Sequence, residues 1–166
     1  MTHINRTVLA FGVLAISWLV VPADASAQIE EVKITVDGLT CSLCAAGLER
    51  ALRRLDDASG VDVSIADGAA VVRLKSGNSF DPGKFRAAVK TAGQEARAFE
   101  LRLRAVVLAG NGGYHLQPGR GIPLAVRAGS ADKLKPLVGR TVRAHAKVVS
   151  SPGSPLELEL KDVSAR

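Results

Sequence analysis

Between Gln28 and Phe99 the spacing of apolar residues switches from alternation to helical periodicity and back, then repeats the switch. Strand and helix periods place side chains on different faces, so this succession constrains the fold more than any single residue does. Val32, Ile34 and Val36 alternate with Glu31, Lys33 and Thr35, the pattern of a half-buried strand. Gly38 relaxes the backbone. Thr40 or Ser42 is then expected to cap a helix that carries Leu48, Leu52 and Leu55, with Ala45 and Ala51 beside them. That helix should end between Asp56 and Gly60. Val61, Val63 and Ile65 form a second strand, Asp67-Gly68 a hairpin turn, and Val71 to Leu74 a third strand. Asp81-Pro82 reads as the cap and first residue of a second helix, with Phe85, Ala88, Val89 and Ala92 on its apolar face and Gly93 stopping it. A fourth strand starts near Glu95. The order β-α-β-β-α-β within about 70 residues is that of a ferredoxin-like split βαβ unit, and it places the first strand-to-helix loop on an exposed rim.

That loop, Asp37-Gly38-Leu39-Thr40-Cys41-Ser42-Leu43-Cys44, holds both cysteines of the chain. A helix start presents unpaired N–H groups and a partial positive charge, which favour thiolate over thiol. Two thiolates three residues apart can hold one soft metal ion, or oxidise to a small disulfide. Soft sulfur ligands select Cu(I), Hg(II) or Ag(I) over hard cations, whereas zinc wants three or four protein ligands. Residues 28–99 contain no histidine, and the only methionine is Met1, so neither a zinc set nor a methionine-based copper site can be assembled there. Thiol–disulfide exchange is the competing use of the same spacing. The surroundings are not thioredoxin-like, however, and Trp18 lies far upstream of the pair.

The segment Gly38-Leu39-Thr40-Cys41-Ser42-Leu43-Cys44, followed by Leu48-Glu49-Arg50-Ala51-Leu52, resembles the heavy-metal-associated domain. This family includes copper chaperones, N-terminal modules of copper-exporting ATPases and periplasmic mercury-binding proteins. Gly60-Val61 and Ala92-Gly93 extend the resemblance over Glu31 to Phe99. It implies that Cys41 and Cys44 bind one soft ion, with Cu(I) slightly ahead of Hg(II) and with Ag(I) as a further candidate, and that the ion passes to or from a donor or acceptor protein such as a membrane transporter. Two positions depart from the pattern. Leu39 stands where methionine is usual, and Gln94 stands where Tyr, Phe or Lys usually lies close to the metal.

The flanking segments are read separately. Arg6, an apolar run from Val8 to Val21, Pro22 and Ala25-Ser26-Ala27 form a secretory signal pattern with cleavage expected after Ala27, which implies a periplasmic protein. The run is shorter than the roughly 18–20 residues of a membrane span. Over residues 28–99 acidic and basic residues balance at ten each, so the formal +6 charge of the chain resides after Phe99, where eleven basic residues face five acidic ones. This asymmetry points to a second unit with different partners.

No linker separates the two units. Phe99, Leu101, Leu103 and Ala105 alternate straight through the boundary. Turns at Gly110-Asn111-Gly112-Gly113, Pro118-Gly119-Arg120-Gly121 and Ser151-Pro152-Gly153 delimit short strands from Tyr114 to Gln117, Ile122 to Arg127, Val142 to Val148 and Leu156 to Val163. A helical pattern covers Ala131 to Val138. Five short strands with a helical turn before the fourth suggest a small OB-like barrel.

The expected fold class is thus α+β: a signal peptide over 1–27, a ferredoxin-like βαββαβ domain over 28–99, and a basic all-β, OB-like unit over 100–166. Nucleic acid is not an expected partner, because Tyr114 is the only aromatic residue after Phe99 and stacking platforms need several. A solvated basic surface that aids solubility is the first reading of the basic unit's charge, and peripheral contact with an anionic membrane or an acidic protein is the alternative. His115 and His145 are expected to be solvated, and no triad or carboxylate pair suggests catalysis.

Overall fold

The computed structural model describes residues 28–110, 112–119, 122–149 and 156–165. The expected leader, 1–27, and the Ser151-Pro152-Gly153 turn lie outside these residues. The first half runs β1 (Gln28–Asp37), α1 (Ser42–Arg53), β2 (Ala58–Ser64), β3 (Ala69–Leu74), α2 (Pro82–Thr91) and β4 (Glu95–Gly110). β1 pairs antiparallel with β3 on one side and β4 on the other, and β3 pairs with β2, giving the sheet order β2-β3-β1-β4. Both helices pack on one face. Leu48 and Leu52 of α1 and Phe85 and Val89 of α2 are buried in the same core as Val32, Ile34, Val36, Val61 and Val72. Asp81 caps α2 through a hydrogen bond that its Oδ1 accepts from the Gly83 N–H at 2.8 Å, with Pro82 in the first turn. Two details differ from the expected layout. Leu55 lies beyond the helix end, and Ile65 falls just outside β2 and is exposed, because the chain turns at Ile65 to Gly68 before the alternation can continue.

The second half forms β5 (Gly113–Gln117), β6 (Leu124–Val126), two 3-10 turns (Ala128–Lys133 and Lys135–Leu137), β7 (Thr141–Val148) and β8 (Glu157–Ala165). The helical pattern expected over Ala131 to Val138 is therefore realised as 3-10 turns. Pro136 lies in the second of them and has no N–H for an α-helical ladder. Leu134 at their junction is fully buried and Leu137 half-buried, whereas Val138, the last apolar residue of the pattern, is exposed.

β4 connects the halves. It is 16 residues long and is paired on both edges through its middle, from Glu100 to Val106. One edge pairs with β1 over Glu95 to Arg104 and then with β5 from Val106 on, while the other pairs with β7 over Glu100 to Val106. β5 pairs with β6, β6 runs parallel to β8, and β8 returns to β7, so β4-β5-β6-β8-β7 closes into a ring of five strands. Phe99, Leu101, Leu103, Ala105 and Val107, alternate residues of β4, are all buried. Phe99 packs among the rings of Phe80 and Phe85, while Leu101, Leu103 and Ala105 lie opposite Ala146, Ala144 and Val142 of β7. The boundary expected between residues 99 and 100 falls inside this strand, and the buried residues on both sides belong to one apolar cluster.

On the opposite face of β4, Glu100 gathers charges from two other strands. His145 Nε2 of β7 lies 3.1 Å from its Oε2, and Lys161 Nζ of β8 donates to its Oε1. His145 is thus half-buried in an ionic cluster rather than freely solvated as its sequence context suggested. The hydrogen bond from Lys161 holds the Glu100 carboxyl below the usual carboxylate range; burial opposes this, and the charge of Lys161 and the contact with His145 support it. A depressed native pKa stabilises the fold above the ordinary carboxylate pKa, and that contribution is lost as pH falls through the native value. Glu100→Gln should therefore lower stability by up to ~1 kcal/mol at neutral pH. Urea midpoints of the two proteins should converge as the pH is taken down from about 7 toward 3.

Candidate metal-binding loop

Both cysteines lie where β1 gives way to α1. Gly38 sits at φ +82°, a left-handed conformation that strains any residue with a Cβ. The turn drops Leu39 into the core, as its apolar character suggested. Cys41 follows in extended conformation as the N-cap of α1. Its Sγ accepts a hydrogen bond from the Cys44 N–H at 3.0 Å, and its carbonyl accepts from the Ala45 N–H at 3.0 Å. The capping group is therefore Cys41 itself, not Thr40 or Ser42. A thiol is a weaker acceptor than a hydroxyl, which is why the neighbouring hydroxyls drew the sequence-based expectation.

The two sulfurs are joined as a disulfide, with Cα atoms 5.1 Å apart. Cys41 is exposed and Cys44 half-buried against the core, while Leu43 between them is 80% exposed. Reduction by two electrons and two protons frees two thiols on this rim. No acidic residue occupies the first turn of α1, and Asp37 at the end of β1 is ion-paired with Arg97. The positive end of the helix is thus left to act on the sulfurs, which favours thiolate and with it nucleophilic or metal-ligating behaviour. Gln94, buried between α2 and β4, donates from Nε2 to the Cys44 carbonyl at 3.1 Å.

Residues 33–95 match the family model of the heavy-metal-associated domain. This chain carries a heavy-metal-associated domain. Among solved structures, the N-terminal domain of PacS from Synechocystis is 28% identical over 41% of this chain and 94% of its own, with a TM-score of 0.36. Oxidized MerP from Ralstonia metallidurans is 28% identical over 42% of this chain and 94% of its own, with a TM-score of 0.38. The CopZ metallochaperone is 21% identical over 40% of this chain and 98% of its own, with a TM-score of 0.38. No curated protein matches the chain.

Within the heavy-metal-associated domain the fold brings Cys41 and Cys44 together as their spacing required. It adds no third ligand: among the described residues, no group of three or more His, Cys, Asp or Glu side chains could hold a metal ion. Gln94 was singled out by its position after Gly93, but its bond to Cys44 crosses 50 residues of sequence and no local signal announces it. The pairing of Asp37 with Arg97, 60 residues apart, escaped the sequence for the same reason.

Proposed function

We propose that this protein is an exported carrier or sequestering module for one soft metal ion, held by the reduced thiolates of Cys41 and Cys44 and without catalytic activity of its own. The observation that carries the reading is the pair of cysteines at the N-terminus of α1, on an exposed rim of a heavy-metal-associated domain. Two sulfur ligands suit an ion of low coordination number, and soft thiolates rank Cu(I), Hg(II) and Ag(I) above hard cations. Cu(I) is placed ahead of Hg(II) on the resemblance to copper chaperones. With only two protein ligands the ion keeps an open side, so a thiolate from a donor or acceptor protein, including a membrane transporter, can add before one of the original ligands leaves. The exposed Leu43 gives such a partner an apolar contact beside the sulfurs.

The signal pattern over residues 1–27 supports a periplasmic location, where a reductant or prompt loading must oppose the disulfide. For the second unit, the strand order β4-β5-β6-β8-β7, with its parallel β6–β8 pair and the 3-10 turns before β7, supports an OB-like barrel. Its excess of basic residues supports peripheral contact with an anionic membrane surface or an acidic protein.

Titrating the reduced protein with Cu(I) and with Hg(II), each against a competing thiol, should show one equivalent bound, and absence of one-to-one binding overturns the proposal. The Cys41–Cys44 disulfide favours a second reading, periplasmic thiol–disulfide exchange. A disulfide-transfer assay with a reduced protein substrate separates the two, since a metal carrier should transfer disulfides no faster than a small-molecule disulfide does.

A further inference from the structure

We propose that Gln94 is a positioning residue for the Cys41–Cys44 loop, an inference that rests on the metal-binding reading above. Its side chain lies between both ends of the loop. Gln94 Nε2 donates to the Cys44 carbonyl at 3.1 Å, and its Cγ lies 3.9 Å from where a Cβ on Gly38 would stand. Its own N–H is anchored on the Val89 carbonyl of α2 at 3.2 Å. The start of β4 and the end of α2 are thereby tied to the first turn of α1 through one amide.

The other half of that amide shows what it is for. Gln94 is 8% exposed, and its Oε1 is buried with no hydrogen-bond partner among the described residues. Turning the amide over would set Oε1 against the Cys44 carbonyl oxygen and lose the donor, so the Cys44 carbonyl dictates the orientation. A buried amide with half its capacity unused is a poor stabiliser, and an apolar side chain of the same length would fill the space at least as well. The amide therefore serves the geometry of the loop rather than the stability of the core. Once the disulfide is reduced, the covalent clamp on the loop is gone, and the Gln94 bond to the Cys44 carbonyl joins the Cys44 and Ala45 N–H bonds to Cys41 in holding the loop. Holding ligands in place before the ion arrives removes an ordering cost from binding, and groups that orient metal ligands from outside typically contribute about 10–100-fold in affinity.

The test compares the protein with Gln94→Met, which keeps the length and removes the donor, and with Gln94→Leu, which removes the donor with a shorter apolar side chain. Three quantities are read: the urea midpoint, backbone amide exchange at Leu43, Cys44 and Ala45 in the reduced and the disulfide forms, and Cu(I) affinity of the reduced protein against a competing thiol. For Gln94→Met the urea midpoint should be essentially unchanged. Exchange at the three amides should accelerate by about 10-fold in the reduced form and stay near the original rate in the disulfide form, and Cu(I) affinity should fall by about 10-fold. Gln94→Leu should reproduce the exchange and affinity changes, and decides the matter should the methionine variant not fold. Unchanged exchange in the reduced form, or an affinity loss that merely follows a falling urea midpoint, overturns the positioning role. Failure of the unaltered protein to bind Cu(I) removes the metal reading instead, while the exchange data still decide whether Gln94 holds the loop.

Discussion

Replacing Cys41 and Cys44 together by serine should lower Cu(I) affinity by at least about a thousandfold, equivalent to ~4 kcal/mol, without unfolding the protein. The size of the loss follows from the absence of any substitute. No third metal-ligating side chain joins the pair among the described residues, and a serine hydroxyl is a hard, neutral ligand with little affinity for Cu(I). Survival of the fold follows from two features of the loop. A bridge between residues three apart closes too short a chain to restrain the unfolded state much. The Cys41 sulfur also caps α1, and a serine at that position is the better capping residue, so the helix start should be held at least as firmly. Competition against a chromogenic Cu(I) chelator, with urea unfolding in parallel, measures both. Tight binding by the double variant would place the ion elsewhere and end the case for this loop.

Truncating Phe99 to alanine should destabilise the protein by about 3–5 kcal/mol, a large part of the total stability of an ordinary domain. Phe99 is 1% exposed, packs edge-on against Phe80 and Phe85, and carries the Arg86 guanidinium 4.9 Å above its ring. The more telling expectation concerns where the loss is felt. Phe99 lies under the helices, but the next buried residues on its strand, Leu101 and Leu103, face β7 inside the five-stranded ring, and all belong to one cluster.

Loosening β4 at Phe99 should therefore weaken both halves in a single transition. The chain supplies separate reporters. Among the described residues both α-helices lie before residue 95, so helical circular dichroism follows the first half, whereas Tyr114, the only tyrosine of the sequence, follows the ring. In the unaltered protein and in Phe99→Ala the two signals should give coincident urea transitions, with the midpoint of the variant lowered for both. A variant in which the helical signal melts early while the tyrosine signal keeps its original midpoint would show that the halves are independent.

Much of this was legible before any tertiary contact was known. The alternation of Val32, Ile34 and Val36, the helical spacing of Leu48 and Leu52, and the Asp81-Pro82 start of α2 are local patterns, because each records which face of its own element meets the core. The two cysteines at a helix start were legible for the same reason. The unbroken alternation from Phe99 to Ala105 already announced that no linker divides the chain. Where local reading erred, neighbours of similar chemistry competed: Thr40 and Ser42 against Cys41 for the cap, and an α-helix against 3-10 turns around Pro136.

What only the tertiary structure decided are the meetings between distant segments. Closure of the ring by β7 on the free edge of β4, the ionic cluster of Glu100 with His145 and Lys161, and the hold of Gln94 on Cys44 all depend on the register between strands and loops some 35 to 61 residues apart. Periodicity reports which way a side chain faces. It does not report what the chain brings to face it, because the partner is chosen by how whole elements pack and a one-residue slip in register would choose another. The sequence by itself determined a βαββαβ order with two thiols on its rim. The packed structure determined that a buried glutamine donates to the backbone carbonyl of one of those cysteines, and that the strand starting beside it is the one both halves share.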